Sequence, residues 1–375
     1  MASLKLGMVG GGQGAFIGGV HRIAARLDGC FDLVAGAFAS DPTRAHASAA
    51  ELGIAADRSY ADYREMAKAE AARADGIDAV AIVTPNHLHG PIAEAFLAQG
   101  IHVICDKPMT ATLAQAEALM EAAANSSASF FLTHKYTGYP MIRQARQMVT
   151  DGDLGDIRIV QADYLQDWLS DAPAAENKQA AWRTDPAQSG GGAIGDIGTH
   201  AYNLVSFVTG LRTQSLSATL QSHVADRAVD DDARVTLKFE GGAKGHIWAS
   251  QVAVGNENNL TLAVYGSKAS LRWAQEEPNV LWFTKLGDAP RKITRGGAAA
   301  HPAAAAVTRI PAGHPEGYLE AFATLYREAA EAILTPEKVT SNNALISISQ
   351  GLEGVRFVDA CQRSSNKGAA WIRLE

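Results

Sequence analysis

Cysteine is scarce. Cys30, Cys105 and Cys361 are odd in number and far apart, which excludes a disulfide framework and offers no zinc-ligand spacing. Long apolar runs are also missing, and no stretch approaches the ~20 residues that cross a bilayer. Positive charge is not in excess: 33 Lys and Arg face 40 Asp and Glu, a net charge of -7. That balance argues against a nucleic-acid or anionic-membrane partner. The N-terminus carries Lys5 and then enters an apolar strand and a glycine turn, without the h-region and small-residue cleavage site of a signal peptide. These absences predict a protein of the reducing cytoplasm.

What is present points to two domains. The 375 residues exceed the ~250–300 at which single cores stop growing. The first domain is read as residues 1–134 and the second as 135–375.

Leu4 to Val9 is a short apolar strand that runs into Gly10-Gly11-Gly12-Gln13-Gly14-Ala15-Phe16-Ile17-Gly18-Gly19. Val20, Ile23, Ala24 and Leu27 then fall at helical spacing. Strand, glycine turn and helix make a dinucleotide fingerprint, because glycines let the backbone approach a pyrophosphate and a helix N-terminus faces its charge. Gly10, Gly12, Gln13, Ala15, Phe16 and Ile17 are the candidate contacts. Leu33–Phe38, Asp78–Val83, Ile101–Cys105 and Ser129–Leu132 read as further strands. Helical stretches lie between them: one opened by Asp41-Pro42, then Tyr60–Ala72, Pro91–Gln99 and Leu113–Ala124. Alternation of this kind predicts a parallel, doubly wound α/β sheet.

Two strand ends carry polar residues at the rim where such sheets bind ligands. Thr84-Pro85-Asn86 follows one, and Asp106-Lys107-Pro108 follows the next. Pro108 removes a backbone donor and restricts Lys107 to extended conformations, so the lysine is aimed. His87 and His89 lie one residue apart without a third metal ligand at suitable spacing, and read as a polar cluster at a helix start; His89, with Thr84, Pro85, Asn86, Asp106 and Lys107, is a candidate cofactor contact.

After Lys135 the pattern changes. Ile157–Tyr164, Ser215–Gln221, Ala233–Phe239, Lys244–Ser250, Leu260–Tyr265, Ala269–Trp273 and Val280–Thr284 read as strands of a large, mostly antiparallel open sheet. Gly241-Gly242 is read as a two-residue hairpin loop, Asp230-Asp231-Asp232 as a solvated turn, and 288–313 as a long loop. Tyr318–Ile333 and Ile346–Gln362 read as amphipathic helices, and Ala370–Leu374 as a closing strand. One stretch carries chemistry: Gly190-Gly191-Gly192 opens a helix on which Asp196 and His200 stand at i and i+4, a carboxylate one turn from an imidazole.

These motifs together resemble the Gfo/Idh/MocA oxidoreductase family, which includes inositol and sugar dehydrogenases. The resemblance spans essentially the whole chain and rests on the glycine turn, Thr84-Pro85-Asn86, Asp106-Lys107-Pro108 and Asp196-x-Gly198-x-His200. It implies a Rossmann domain followed by an open-sheet domain, with Lys107, Asp196 and His200 meeting in the cleft between them. It implies, too, a homodimer or homotetramer formed through the open sheet. Two departures stand out. The hinge acid is Asp106 where the family usually has Glu, and the turn has three extra residues between Gly10-x-Gly12 and Gly18-x-x-His21. Where the family's ribose-binding acid should fall stands Ala39, with Ser40 and Arg44 nearby to receive a 2′-phosphate, while Asp41 keeps NAD open.

The resulting expectation is an NAD(P)-dependent enzyme, leaning to NADP, acting on a secondary alcohol or ketone of a sugar, cyclitol or related polyol. His200 is the expected acid/base, Asp196 its orienter and Lys107 the group that steadies charge on the reacting oxygen. Tyr136, Tyr139, Gln166, Trp168 and Arg183 are the softer substrate candidates, with Lys107, Asp196 and His200 also counted among the contacts. A glycosidase or lyase working through transient oxidation, and a non-catalytic dinucleotide sensor, are the alternatives.

Overall fold

The computed structural model describes residues 3–171, 178–336 and 347–374. The chain divides into two compact units, 1–135 with 318–352, and 136–317 with 353–375.

The first unit is a five-stranded sheet of strand order β2-β1-β3-β4-β5. Its strands are β1 (Leu4–Gly10), β2 (Phe31–Ala37), β3 (Ala79–Val83), β4 (His102–Asp106) and β5 (Phe130–Thr133). Every pairing is parallel. Strand β3 is Ala-Val-Ala-Ile-Val and is buried at all positions, as a parallel strand covered on both faces must be. Between the strands run α1 (Phe16–Leu27), α2 (Pro42–Glu51), α3 (Tyr63–Ala72), α4 (His89–Leu97) and α5 (Leu113–Ala124). Their starts follow from local chemistry. Asp41 accepts the Arg44 N–H at 2.8 Å with Pro42 in the first turn, and Asp62 and Thr112 cap α3 and α5 in the same way. The chain returns to this unit after residue 318: α11 (Tyr318–Leu334) lays Phe322, Tyr326 and Ala330 into the core beside Val20 and Ala24 of α1.

The second unit is built on a nine-stranded sheet of order β13-β12-β11-β10-β6-β9-β8-β7-β14. Its strands are β6 (Ile157–Leu165), β7 (Thr213–Gln221), β8 (Asp232–Phe239), β9 (Lys244–Ser250), β10 (Asn259–Gly266), β11 (Ala269–Ala274), β12 (Val280–Lys285), β13 (Arg291–Thr294) and β14 (Ile372–Arg373). All pairings are antiparallel except β6 with β9. One face is packed: in β8 and β10 alternate residues are buried. Helices α6 (Pro140–Thr150), α7 (Lys178–Arg183), α8 (Pro186–Ser189), α9 (Thr199–Thr209), α10 (Pro302–Ala305) and the greater part of α12 (Ile348–Asn366) complete this unit. None of the described helices is long and apolar enough to cross a membrane.

Three sequence expectations are corrected, and a fourth falls partly outside the described residues. Segment 288–313 is not one loop, because it holds β13 and α10. The pattern was invisible because β13 is Arg-Lys-Ile-Thr, an edge strand with one buried residue. Arg295 beyond it is fully buried and ion-paired with Glu316 at 3.0 Å. The hairpin between β8 and β9 leaves four residues, 240–243, between the strands; Phe239 N–H bonds Ala243 O, and both Gly241 and Gly242 adopt positive φ. The Asp230–Asp232 run is not a solvated turn: Asp231 accepts the His223 and Val224 amides and pairs with Arg227, and Asp232 accepts the Trp248 indole N–H. Finally, the helix read from Ile346 is described from Ile348; Ile346 lies outside the described residues.

Candidate active site

The glycine turn after β1 explains its own composition. Gly10, Gly11 and Gly14 adopt φ of 82°, 70° and 80°. Gly18 lets α1 cross directly behind the turn, since a Cβ there would lie 2.4 Å from the Gly11 Cα. Within the extended turn Gln13 is tied to α2: its N–H donates to Ser48 Oγ at 3.2 Å, and its side-chain amide to Glu51 at 2.9 Å. Ala15 at the N-cap of α1 has no side chain with which to cap it. An uncapped helix start is suited to an anion. Residues 11–16 with Arg22, Ser48 and Glu51 line a cleft of about 330 Å³. Phe16 stands there 63% exposed, whereas Ile17 is half-buried against the core. Arg22, which sequence reasoning missed, holds the turn through Gly11 O at 2.7 Å. At the end of β2, Ala39 is half-buried, and Ser40, Asp41 and Arg44 are exposed.

The ends of β3 and β4 are joined by one side chain. His89 is 1% exposed, with Nδ1 at 2.7 Å from Pro108 O and Nε2 at 2.9 Å from Thr84 O. It therefore braces both rim turns and does not point out of them. Burial lowers its pKa, outweighing the two carbonyls and the Asp106 charge. Asn86 is buried at the adjoining turn. Asp106 accepts the backbone N–H of Lys107 at 2.9 Å and the Thr133 hydroxyl at 3.2 Å. Burial pushes the Asp106 carboxyl upward, but His21, Lys107 and His89 outweigh it and hold it well below the usual carboxylate range. His21 Nε2 lies 3.9 Å from this carboxylate, and its Nδ1 meets the buried Tyr326 hydroxyl at 2.8 Å. Lys107 is half-buried at the strand end, followed by a cis peptide to Pro108. Burial, assisted by the Lys107 charge, pushes the neighbouring His134 imidazole down to about 3.

In the second unit the segment carrying Asp196 is a π-helix, Ile194–Gly198, that passes into α9. The i, i+4 spacing of Asp196 and His200 therefore spans a wider turn than an α-helix provides, a feature often found at functional sites. Asp196 accepts the Gln251 side-chain amide at 2.9 Å and pairs with Arg183 at 3.3 Å. Gln251, just past β9, had no motif to reveal it. His200 is 5% exposed, edge-on to the Tyr136 ring at 5.0 Å and tilted against Tyr164 at 6.2 Å. Tyr136 and Tyr164 share a hydroxyl contact, and Asn258 accepts from both Tyr164 and Gln166 at 2.8 Å. Trp168 is 41% exposed and donates to Gln166 at 2.9 Å. Tyr139 is placed differently: it is fully buried, stacked on Tyr136 and tilted against Trp273, so it packs the core. Among the described residues no group of three or more His, Cys, Asp or Glu is arranged to hold a metal ion.

Residues 4–134 match the model of an oxidoreductase family with an NAD-binding Rossmann fold, and residues 142–272 match the GFO/IDH/MocA C-terminal domain. An oxidoreductase of Bacillus subtilis (strain 168), named as uncharacterized, is 35% identical over 99% of this chain and 97% of its own. The chain belongs to the GFO/IDH/MocA oxidoreductase family. Among solved structures of its relatives, an oxidoreductase from Sinorhizobium meliloti is 52% identical with a TM-score of 0.92, covering 99% of this chain and 100% of that one. An inositol dehydrogenase homolog from Azotobacter vinelandii, complexed with NADH and myo-inositol, is 39% identical with a TM-score of 0.92, covering 99% and 97%. The residues of this family member fit a dinucleotide: positive φ at Gly10 and Gly11, and an uncapped α1, present backbone N–H groups to a phosphate. The N-terminal unit of this GFO/IDH/MocA protein is thus an NAD(P)-binding Rossmann fold.

Proposed function

We propose that this oxidoreductase interconverts a secondary alcohol and the matching ketone on a cyclitol, sugar or related polyol. The likeness to the inositol dehydrogenase homolog solved with NADH and myo-inositol, along nearly the whole chain, is the observation that supports this most directly. The bound nicotinamide supplies the hydride acceptor for oxidation and the donor for reduction. In oxidation His200 takes the hydroxyl proton, and the Tyr136 and Tyr164 rings hold its imidazole in one orientation. Asp196, ordered by Arg183 and Gln251, supplies the fixed negative charge on that segment. Lys107, aimed by the Asp106 bond to its own N–H, hydrogen-bonds the reacting oxygen and stabilises negative charge on it. Gln166, Trp168 and Arg183 are the proposed contacts to hydroxyls and a ring face. Thr84, Pro85 and Asn86 form the proposed nicotinamide rim, with Gly10, Gly12, Gln13, Ala15, Phe16 and Ile17 at the pyrophosphate.

The finer cofactor proposal is that NADP(H) serves at least as well as NAD(H). Ala39 cannot accept from ribose hydroxyls, the Asp41 side chain accepts from the Arg44 amide, and Ser40 and Arg44 are exposed on the same turn. For the assembly we propose a homodimer or homotetramer through the outer face of the nine-stranded sheet, where Ile159, Tyr265 and Trp282 are exposed, each next to a buried residue of its strand. Three buried free cysteines are consistent with a cytoplasmic setting.

The test is a screen of cyclitols, sugars and their ketones, myo-inositol included, against NAD⁺, NADP⁺ and their reduced forms, read at 340 nm. Turnover of a polyol or its ketone is expected. A cofactor that stays bound while a glycoside is cleaved without net absorbance change would replace this reading with transient oxidation.

A further inference from the structure

The segment that carries Asp196 is anchored by an aspartate that no part of the proposed chemistry uses. Asp230 sends one carboxylate oxygen to the Gly192 N–H at 3.0 Å and the other to the Ile194 N–H at 2.8 Å. The intervening Ala193 N–H donates to the Asp230 carbonyl at 2.8 Å. Three consecutive amides at the entrance to the π-helix thus end on one residue. The approach is so close that a Cβ on Gly192 would lie 1.7 Å from the Asp230 carbonyl oxygen, which is why this position is glycine. On the far side Gln362 of α12 donates to Gly190 O at 3.1 Å.

We infer that Asp230 is a positioning residue: its carboxylate holds residues 192–194, and through them sets where the π-helix presents Asp196 and where α9 presents His200. This rests on the catalytic reading of those two residues. The anchor has a built-in sensitivity, because a carboxylate accepts two amides and a protonated carboxyl accepts them less well. Burial raises the Asp230 pKa to about 6, with the two amides opposing it and the adjacent Asp231 adding to it. The Cys361 thiol on α12 also feels the Asp230 charge, and its own pKa is raised by burial first and by Asp230 second.

Hydrogen exchange of the wild-type protein at pH 5 and pH 7.5, corrected for intrinsic exchange, tests the anchor without any variant. Peptides covering residues 190–200 should lose protection at pH 5 by tenfold or more, while peptides in β10 and β11 stay unchanged. Asp230→Asn should show the loose state at both pH values. With myo-inositol or the polyol turned over fastest in the screen, Asp230→Asn should lower kcat at least tenfold with KM within about threefold. Unchanged exchange at 190–200 in both comparisons, with an unchanged kcat in Asp230→Asn, would overturn the inference. His200→Ala, run in parallel, separates the two claims. If it turns over normally while 190–200 still loosens, the catalytic reading fails and Asp230 remains an anchor. If it is inactive while Asp230→Asn is not, the positioning role fails and the catalytic reading stands.

Discussion

Asp106 and Asp230 do similar work in different units and are charged by opposite means. Each is partly buried, each carboxylate accepts from the backbone (one amide at Asp106, two at Asp230), and each holds a segment that bears a candidate catalytic group. Asp106 is surrounded by His21, Lys107 and His89, and its carboxyl is held well below the usual range. Asp230 faces amide dipoles and a second carboxylate, Asp231, and is pushed up to about 6. Burial is the first influence on both. What differs is whether a cation stands within reach, and that decides which turn is anchored across the whole working pH range and which is conditional.

Removing the groups these anchors serve should give the largest effects. His200→Ala should cost roughly 10²–10⁴ in hydride-transfer rate, the usual worth of general acid–base catalysis. Lys107→Ala should come next, at about 10²–10³, as for loss of one donor to a developing negative charge. Its cofactor affinity should stay within a few-fold, since Lys107 lies at a strand end and not in the glycine turn. Near-wild-type kcat in either variant would detach that side of the comparison from chemistry.

The anchors themselves should separate by the sign of their pH dependence. Asp106 has a depressed folded pKa, so its contribution is present above the unfolded value of ~4 and is lost as pH falls through the folded value. Asp106→Asn should therefore destabilise by about 1.5–3 kcal/mol at pH 7, the worth of hydrogen bonds to a charged group, and by less near pH 2. Asp230 runs the other way for unfolding of the whole chain, where solvent returns its carboxyl to the ordinary range, although protonation weakens its two amide bonds within the fold, since those bonds lower its pKa. Its folded pKa of about 6 exceeds the unfolded value, so its contribution is full below pH ~4 and falls as pH rises to about 6. The loss is at most about 3 kcal/mol, from ~1.4 kcal/mol per pKa unit. Urea unfolding of wild type, Asp106→Asn and Asp230→Asn from pH 3 to 8 checks both signs, and parallel curves for the two variants would dissolve the contrast.

Asp106 was legible in the sequence and Asp230 was not, for a physical reason. Asp106 sits in a local pattern of apolar strand, acid, lysine and proline, where neighbours in sequence are also neighbours in space. The same holds for the glycine turn, the Asp41-Pro42 helix start and the alternation of β7 to β12, which the structure reproduces to within a few residues. Asp230 acts on Gly192 and Ile194, 38 and 36 residues away, and three acids in a row look like a solvated turn until their partners are known. Gln251 is hidden likewise, 55 residues from the Asp196 it holds. His89 was legible as a polar residue at a helix start, but not its direction, because only the parallel adjacency of β3 and β4 places two carbonyls on either side of its ring.

The smallest expected effect concerns the other end of the dinucleotide, where neither anchor reaches. Arg44 is exposed on the first turn of α2, and its amide, not its guanidinium, makes the bond to Asp41. The side chain is therefore not committed to holding the helix start, and Arg44→Ala should leave stability within about 0.5 kcal/mol, as for most surface substitutions. If the guanidinium receives a 2′-phosphate, the variant loses one exposed charge-assisted contact. At an exposed site that contact is worth about 1 kcal/mol, or roughly fivefold in affinity. NADP⁺ affinity should fall by that factor and NAD⁺ affinity should not move. Asp41→Ala is the matching control, since it removes the cap and should cost about 0.5–2 kcal/mol of stability for either cofactor. Titrations in which NAD⁺ binds tenfold tighter than NADP⁺, with Arg44→Ala altering neither, would assign this turn to NAD and leave Arg44 as a solvated surface residue.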